Sequence, residues 1–467
     1  MTDRLLGFVV FWGVWLFVPM LIDGLTAVTY FVGAWRARVR LRQQTQTPTG
    51  GLPSISIIIP AHNAARYLPH CLESIRRQTY PHKLIEVLIV DNQSSDETVQ
   101  VAAGQQERQF DGAVHWMSLP YRGKPGALNA GIHRVHGEVI CNIDADTVLH
   151  PDALSEMANA FRKDEKIAAA TGAIEVLPAD ADPLTGEKKA VHPVRYVLGE
   201  AEFLEYFAAF RIGRQYQTIT NSLFTLAGAF SAFRRETLLK TGLYNPRTVS
   251  EDTDLTFAIA SRLPTWRVVS VPTAVAYVEP TETLRALYAQ RVRWQRGQLE
   301  VASQYPEFER HPFRLKGIAL PKALIVDHTL AFPRVVWTFL LPMMYFLGYP
   351  LSLVMSASFA MYGVYMAVEA LYLLVAYVVA EGPARRRIRR DWWMFIVMPG
   401  YRWMTFWFRV GGFLAVLMEP KQWRVADPLT QTRVGALKVA TATLAFITTT
   451  FLPRIAALLG AVLRIGK

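Results

Sequence analysis

A β-prone stretch of the sequence ends in two closely spaced carboxylates. The stretch is VICNIDADTVLH, residues 139–150, and only Ala145 separates Asp144 from Asp146. Residues two apart in an extended chain point to the same side, so these charges repel each other unless a positive charge lies between them. Carboxylate oxygens suit a hard divalent cation. The pair predicts a cation site, although a D-x-D pair taken alone is more often part of a loop or a helix cap.

Polar side chains also follow two other predicted strands. ISIIIPAHN ends in Pro60, His62 and Asn63, and VLIVDNQSSD carries Asp91. In an open parallel sheet, ligands bind at the carboxyl ends of the strands. A nucleotide fits this edge, with Asp91 accepting hydrogen bonds from the base and a cation on the paired aspartates neutralising the phosphates. Lys124, in YRGKPGALNAG, is either a partner of a diphosphate or a solvated loop lysine.

Two later segments carry further candidates for chemistry. In TVSEDTDLTF, Glu251 and Asp252 either supply acidic residues to the first turn of a helix or include a general base that takes a proton from a hydroxyl. In QRVRWQRG, Gln290, Arg293 and Trp294 occur within five residues. An arginine can stabilise a leaving diphosphate and a tryptophan offers a flat face to a sugar ring, whereas a basic helix at a membrane surface is the simpler interpretation.

The elements that must position these residues follow an alternating order. The short β-branched runs at 55–63 and 85–98 flank AARYLPHCLESIRRQ, which has helical spacing. Strand, helix, strand indicates a parallel α/β sheet, with VICNIDAD as a further strand. No run long enough to span a membrane occurs between residue 53 and about residue 310.

Apolar segments flank this region on both sides. Residues 5–35 contain Asp23 as their only charge after Leu5, and they exceed the roughly 20 residues that a spanning helix needs. Four arginines follow at once, so the positive-inside rule predicts that the next segment is cytoplasmic; they are Arg36, Arg38, Arg40 and Arg42.

The C-terminal third also contains long apolar segments. Segments 335–355 and 358–380 predict a spanning hairpin, and RRRIRR at 385–390 marks a second cytoplasmic segment. Residues 391–418 contain Arg402 and Arg409 on one helical face, with Pro399–Gly400 and Gly411–Gly412 interrupting the run, which favours an interfacial segment over a span. Residues 439–463 offer a weaker candidate, so we expect three or four spans. Asp23 and Glu369 lie within apolar runs, where charged residues commonly face a polar path or a partner.

Composition agrees with a membrane protein. The chain has 467 residues, of which 51% are hydrophobic, and two cysteines, so a disulfide framework is improbable. The net charge of +12 could suit a nucleic-acid binder. Much of this charge lies beside the apolar runs, however, and we expect no nucleic-acid partner.

The ordered set of motifs resembles the processive family 2 glycosyltransferases of the inner membrane. That family includes cellulose, hyaluronan, chitin-oligosaccharide and poly-N-acetylglucosamine synthases, and its pattern is an early aspartate, D-x-D, T-E-D and Q-x-x-R-W. This chain has Asp91, DAD at 144–146, SED at 250–252 and QRVRW at 290–294. The resemblance implies a GT-A (Rossmann-like α/β) fold for residues 53–310, after an N-terminal helix and basic linker in 1–52 and before interfacial and spanning helices in 311–467.

The resemblance also implies a role for each motif at the donor end. Asp91 would contact the uracil of a UDP-sugar, and Asp144 and Asp146 would hold its diphosphate together with Mg²⁺ or Mn²⁺, with Asp146 the more direct ligand. Asp252 would be the base that activates the acceptor hydroxyl. One base and no covalent nucleophile predict inversion, so that an α-linked donor gives a β-linked product.

At the acceptor end, the resemblance assigns Gln290, Arg293 and Trp294 to a platform and diphosphate clamp. The loop at 225–235 lies where the family places a loop under the acceptor sugar, but it lacks the cysteine often found there. Trp423 occupies the place of the tryptophan in the family's gating loop, although Arg424–Val425 departs from the Thr–Arg of some members.

These features predict a multi-pass enzyme of the inner (plasma) membrane with a cytoplasmic catalytic domain. It would polymerise a UDP-sugar onto a growing polysaccharide and help to export the product, as a dimer or with an accessory subunit. The alternatives are a non-processive enzyme that adds one sugar to a lipid carrier, and a transporter whose soluble domain senses a nucleotide. Product length distinguishes the non-processive enzyme from a polymerase. Release of UDP from a UDP-sugar distinguishes an enzyme from a transporter that only senses a nucleotide.

Overall fold

A computed structural model describes most of the central chain. The described residues are 51–104, 110–181, 187–308 and 340–418 except 342, with residues 24, 25, 27–29 and 31–33 near the N-terminus. The predicted features at Asp23, the arginines that follow Trp35, Trp423 and the segment 439–463 lie outside this part of the chain.

One mixed eight-stranded sheet forms the centre of the molecule, in the order β3-β2-β1-β4-β7-β6-β8-β5. The strands are β1 Ile55–Ala61, β2 Ile85–Asn92, β3 Ala113–Leu119, β4 Val139–Ile143, β5 Val148–Leu149, β6 Ile167–Val176, β7 Phe230–Arg234 and β8 Arg267–Val278. The first four pair in parallel, as the alternating pattern predicts. Strand β7 runs antiparallel to both β4 and β6, and β5 runs antiparallel to β8, so the predicted parallel sheet holds for β1–β4 and for the β6–β8 pair but not for these strands.

Twelve helices with defined bounds lie in the described part of the chain. They are α1 Leu68–Arg76, α2 Thr98–Gly104, α3 Lys124–Arg134, α4 Ala153–Lys163, α5 Pro193–Tyr206, α6 Arg214–Ile219, α7 Arg235–Lys240, α8 Glu251–Arg262, α9 Leu284–Ala302, α10 Leu351–Val379, α11 Gly382–Arg390 and α12 Met398–Met418. A π-helical turn, Phe207–Gly213, joins α5 to α6, and short 3₁₀ turns occur at His82–Leu84, Pro306–Phe308 and Trp392–Ile396.

The sheet is buried on both faces because helices cover each side. Alternate residues of β1 point in opposite directions. Ile57 and Ile59 pack in the core that contains Leu68 and Leu72 of α1, whereas Ile58 packs in the core that contains Leu128 of α3. This two-sided burial explains why the strand sequence is a continuous apolar run rather than an alternating one.

Helix α10 is the one helix in the described part of the chain that is long and apolar enough to cross a membrane. At about 1.5 Å per residue, its length exceeds the roughly 30 Å hydrocarbon core of a bilayer. It begins at Leu351, after a turn in which Gly348 has a φ of 91°. The predicted boundary between spans at 335–355 and 358–380 is therefore wrong, because the left-handed glycine and Pro350 place the turn about eight residues earlier.

Helix α12 runs unbroken from Met398 to Met418 through both predicted interruptions. Pro399 falls in the first turn, where a missing N–H costs little. Gly411 and Gly412 face α9 instead of breaking the helix. A Cβ on Gly412 would lie 2.7 Å from the Gln295 Cβ, and one on Gly411 would lie 2.8 Å from the Tyr288 hydroxyl. The glycines thus permit close contact between the two helices.

Candidate active site

A cavity of about 1080 Å³ opens at the carboxyl ends of β1, β2 and β4. Its walls extend from Pro60, at one end, to Trp294 of α9 and Arg409 of α12. Small-molecule sites commonly occupy roughly 300–1,000 Å³. The cavity is therefore large enough to hold two reactants side by side.

The paired aspartates lie in this cavity, directly after β4. Asp144 donates its backbone N–H to the Ala229 carbonyl at 3.2 Å, and its Oδ1 lies 2.5 Å from the Lys124 Nζ. The side chain of Asp146 is exposed to the open cavity, and partial desolvation by the cavity walls raises its pKa to about 6, with a further contribution from the charge of Asp144. Both carboxylates line the cavity, but the chain turns here instead of continuing as a strand, because the Thr147 N–H donates to the Asp144 carbonyl at 3.0 Å.

Lys124 connects the D-x-D segment to two other parts of the chain. Its Nζ lies 3.3 Å from Glu251 Oε1 and donates to the Gly228 carbonyl at 3.4 Å. Burial alone would lower the pKa of Lys124, but Asp144 and Glu251 outweigh burial and raise it. Of the two interpretations of Lys124, the solvated loop lysine is excluded because the ammonium is held among carboxylates in the cavity.

Glu251 and Asp252 form the first turn of α8 and also line the cavity. Asp252 Oδ2 accepts a hydrogen bond from the Gly228 N–H at 3.1 Å, and Oδ1 accepts one from the Thr253 N–H at 2.7 Å. Burial raises the pKa of Asp252 to about 6, and the neighbouring Glu251 charge adds to this effect. A carboxylate with this pKa can accept a proton near neutral pH.

Gln290, Arg293 and Trp294 lie on one face of α9 and line the other end of the cavity. Their spacing of three and four residues accounts for the shared face. The Trp294 ring lies 5.9 Å from the Tyr206 ring, centroid to centroid. Burial lowers the pKa of Arg293, while the nearby Glu251 charge opposes this change. The basic segment therefore faces the cavity rather than a membrane surface.

The polar residues after β1 also reach the cavity. Pro60, His62 and Asn63 all line it. His62 Nδ1 lies 2.8 Å from the Asn92 carbonyl, and Asn63 Oδ1 accepts from the Ser95 N–H at 2.8 Å. Asn63 has a φ of 51°, a left-handed conformation that asparagine tolerates. These contacts join the ends of β1 and β2.

Asp91 does not line the cavity, although it is the second-last residue of β2 and lies near the carboxyl end of that strand. Its side chain is buried, with Oδ2 accepting from the Ser118 hydroxyl at 2.8 Å and Oδ1 from the Ser94 N–H at 3.2 Å. Asn92 lines the cavity instead, and its Oδ1 accepts from the Gly123 N–H at 2.8 Å. The structure thus brings together Asp144, Asp146 and Asp252 but leaves Asp91 behind the wall.

Several residues of the wall were missed by reasoning from the sequence. Asn92 directly follows Asp91 in β2, and successive side chains of a strand point to opposite faces. If Asp91 points away from the cavity, Asn92 must point towards it. Gly228 lies in the loop at 225–235 that the resemblance had marked, but its contacts with Lys124 and Asp252 were not foreseen, and a Cβ there would lie 3.1 Å from the Lys124 Nζ. Glu205 and Tyr206 come from the end of α5, where no motif pointed to them.

The sheet order and the strand-end carboxylates define a GT-A-like glycosyltransferase fold. Residues 56–242 match the family profile described as Glycosyl transferase family 2, which confirms the predicted glycosyltransferase domain. The chain is 26% identical over 288 residues to the poly-beta-1,6-N-acetyl-D-glucosamine synthase of Staphylococcus aureus (strain COL), covering 61% of this chain and 65% of the relative.

A second curated relative and one solved structure are also similar to this chain. The chain is 27% identical over 248 residues to the Staphylococcus epidermidis synthase of the same name, covering 53% of this chain and 55% of that relative. In structure, it is similar to the mannosyltransferase PcManGT from Pyrobaculum calidifontis, which was solved in complex with GDP-Man and Mn²⁺, with a TM-score of 0.51 and 18% identity. That alignment covers 87% of this chain and 99% of the other, and it supports the fold alone.

Proposed function

We propose that this protein polymerises a β-linked polysaccharide from a UDP-sugar by processive, inverting transfer at the cytoplasmic face of the plasma membrane. One observation carries the proposal. Asp252, the Lys124–Asp144 pair and Trp294 line the same cavity, although they are far apart in the sequence. A base, a diphosphate site and a sugar platform are what a single displacement at a sugar carbon requires.

We assign three functional regions to the chain. Residues 53–310 form the catalytic domain, residues 1–52 anchor it, and residues 311–467 provide interfacial and spanning helices. The eight strands of the sheet fall within the first of these ranges, and α10 falls within the last.

The donor diphosphate binds beside Asp144 and Asp146 together with Mg²⁺ or Mn²⁺. Among the described residues, no group of three or more His, Cys, Asp or Glu side chains could hold a metal without help. Two carboxylates suffice, because Mg²⁺ in nucleotide enzymes is commonly bound by one or two carboxylates plus substrate phosphates. When bound, the cation neutralises charge on the leaving diphosphate, and Lys124 and Arg293 contribute further positive charge.

The nucleoside occupies the end of the cavity formed by Pro60, His62 and Asn63. Asp91 acts there through its hydrogen bonds to Ser94 and Ser118, which fix the end of β2. Asn92 is then the residue of this strand that faces the nucleotide.

Transfer follows from the placement of Asp252. Its Oδ2 is oriented by the Gly228 N–H and takes the proton of the acceptor hydroxyl as that oxygen attacks the anomeric carbon of the donor. The bond to the diphosphate breaks on the opposite side of the sugar, so the configuration inverts. Glu251 raises the proton affinity of Asp252 and pairs with Lys124.

The acceptor sugar binds on Trp294, with Gln290 and Arg293 beside it. Trp423 would complete this end of the cavity but lies outside the described residues. The names of the two staphylococcal relatives support N-acetylglucosamine as the sugar, so UDP-N-acetylglucosamine is the first donor to test.

The bilayer holds the enzyme through α10, and export of the product would use the spanning helices, as a dimer or with an accessory subunit. Tyr372 of α10 lines the cavity together with Arg402 of α12. The cavity therefore extends from the catalytic carboxylates to the candidate spanning helix, which supports release of the chain towards the membrane.

The test is a donor panel with the purified full chain in lipid nanodiscs. UDP-N-acetylglucosamine, UDP-glucose, UDP-glucuronate and GDP-mannose are supplied with Mg²⁺ or Mn²⁺, and nucleotide release and product length are read together. We expect UDP release coupled to products of many sugars. Products of a single added sugar would favour the non-processive alternative, and an absence of nucleotide release from every donor would contradict the proposal.

A further inference from the structure

Arg291, the residue between Gln290 and the Arg293–Trp294 pair, is buried beneath the acceptor end of the cavity. Only 1% of its surface is exposed. Its guanidinium carbon lies 4.5 Å from the centroid of the Trp294 ring, a distance typical of a cation–π contact. Its Nη1 also donates a hydrogen bond to Gln290 Oε1. One guanidinium therefore contacts two of the side chains that we assign to the acceptor.

Arg291 is itself held from two directions. Its Nη2 donates to Glu205 Oε2 of α5 at 2.6 Å and to the Tyr401 hydroxyl of α12 at 3.2 Å. The Tyr401 hydroxyl in turn donates to Glu205 Oε2 at 2.7 Å, and Arg409 Nη2 donates to Glu205 Oε1 at 3.2 Å. These contacts join α5 and α9 to α12.

The charges of Glu205, Arg291 and Arg409 hold these three side chains in a fixed arrangement. Burial would raise the pKa of Glu205, but Arg291 and Arg409 outweigh it and hold the pKa to about 2. The carboxylate therefore stays ionised and keeps both arginines in place. A planar guanidinium can donate to Gln290, Glu205 and Tyr401 while its face meets Trp294, and a lysine ammonium cannot reproduce that arrangement.

We propose that Arg291 is a positioning residue that fixes Gln290 and Trp294 against the acceptor sugar, and that Glu205 and Tyr401 transmit the position of α12 to this platform. The proposal rests on the proposed function of the same cavity. Arg291 touches neither the paired aspartates nor Asp252. Its loss should therefore impair orientation of the acceptor, while the donor still binds and loses its sugar to water.

The decisive variant is Arg291→Lys, with Arg296→Lys as its matched control. Arg296 lies on the same helix, is equally buried, and pairs with Glu300 at 2.8 Å. It does not line the cavity. Both variants are purified in nanodiscs, and three quantities are compared with the wild-type protein: UDP affinity, the ratio of sugar transferred to sugar hydrolysed, and product length.

We expect Arg291→Lys to bind UDP within twofold of the wild-type affinity, because the donor end is intact. The ratio of transfer to hydrolysis should fall by about tenfold or more, since small displacements of a reactant cost rate steeply, and products should shorten. Arg296→Lys should match the wild type in all three. An unchanged ratio and product length in Arg291→Lys would overturn the proposal, as would a parallel loss of UDP binding.

Tyr401→Phe provides a second variant in case Arg291→Lys fails to fold. It removes the hydroxyl that hydrogen-bonds to both Arg291 and Glu205 while keeping the ring, and the same ratio should fall by a smaller factor because the direct Arg291–Glu205 bond remains. A wild-type ratio in Tyr401→Phe would then refute the proposal. If the wild-type protein adds only one sugar, the proposed polymerase fails, yet the ratio of transfer to hydrolysis still tests Arg291 independently.

Discussion

At the scale of single residues, Lys124 gathers contacts from three separate parts of the chain. It pairs with Asp144 after β4, with Glu251 at the start of α8, and with the Gly228 carbonyl before β7. Gly228 also donates its N–H to Asp252. The diphosphate site and the base are thus one hydrogen-bonded unit, so a substitution in either one should alter the position of the other.

The pKa of Asp252 gives a prediction at this scale. Burial and the Glu251 charge raise it to about 6, and only the ionised carboxylate can accept a proton. Sugar transfer at saturating donor should therefore fall as the pH drops through about 6, by about tenfold per pH unit below that value. The measurement is the initial rate of transfer from pH 5 to 8. A rate that stays level down to pH 5 would contradict the role of Asp252 as the base.

Reasoning from the sequence succeeded for most residues of the site and failed where the side-chain direction depends on the pleat or on helix rotation. Asp144 and Asp146 both reach the cavity as expected, although a turn at 144–147 brings them there and not the extended chain that the spacing argument assumed. Asp91 and Asn92 are both buried and point to opposite sides of β2, with Asp91 bonded to Ser118 of β3 and Asn92 lining the cavity. Arg291 is polar and adjacent to a motif, yet only the fold brings Glu205 to it across 86 positions.

At the scale of elements, the contact between α9 and α12 sets the acceptor end of the cavity. Gly411 and Gly412 let the helices approach, and the Tyr288 ring packs edge-on against Phe408 at 5.2 Å. The same pair of helices carries Arg291 and Tyr401. Close packing here is therefore a requirement of the platform as well as of stability.

Gly412→Val tests this contact. A Cβ at position 412 would lie 2.7 Å from the Gln295 Cβ and 3.0 Å from the Val292 carbonyl oxygen, so the helices must separate. We expect a destabilisation of about 1–3 kcal/mol, measured by thermal unfolding, with a loss of transfer relative to hydrolysis. Gly400→Ala, on the same helix, is the control, because the nearest atom is 3.6 Å away. Equal stability of the two variants would show that the close contact does not matter.

The strands were predictable as elements, but their order was not. β-branched runs identify β1, β2 and β4 because these strands are buried on both faces. The antiparallel insertion of β7 between β4 and β6 is a long-range pairing, and FSAFR carries no local sign of its partners. The pair Gly411–Gly412 likewise predicts a helix break from the sequence alone. In the structure, α12 continues through both glycines, and they allow close packing against α9.

At the scale of the whole molecule, ion pairs join the region of the central sheet to helices α11 and α12. Arg387 of α11 pairs with Glu200 of α5 at 2.7 Å, and Arg409 of α12 pairs with Glu205 at 3.2 Å. Glu369, an acidic residue within the apolar run of α10, pairs with Arg402 of α12. The predicted polar partner of Glu369 therefore lies in the same chain.

The proposed topology can be tested by labelling with a membrane-impermeant maleimide. Both native cysteines, Cys71 and Cys141, are buried, so an introduced cysteine gives the signal. In inverted vesicles, Glu97→Cys and Arg386→Cys should be labelled, while Tyr349→Cys, at the other end of α10, should be labelled only in intact cells. The unsubstituted chain is the control. Labelling of all three positions from one side would show that α10 does not span.

The central claim is that the carboxylates of one cavity carry out sugar transfer with Asp252 as the base, and Asp252→Asn tests it most directly. The measurement is the rate of transfer from UDP-N-acetylglucosamine alongside the affinity for UDP. The control is Asp254→Asn, on the same helix, where the buried carboxylate accepts from the Tyr305 hydroxyl at 3.3 Å and lies outside the cavity wall. We predict that Asp252→Asn binds UDP normally and loses at least about 100-fold in transfer, while Asp254→Asn remains active. Transfer at the wild-type rate by Asp252→Asn would contradict the account.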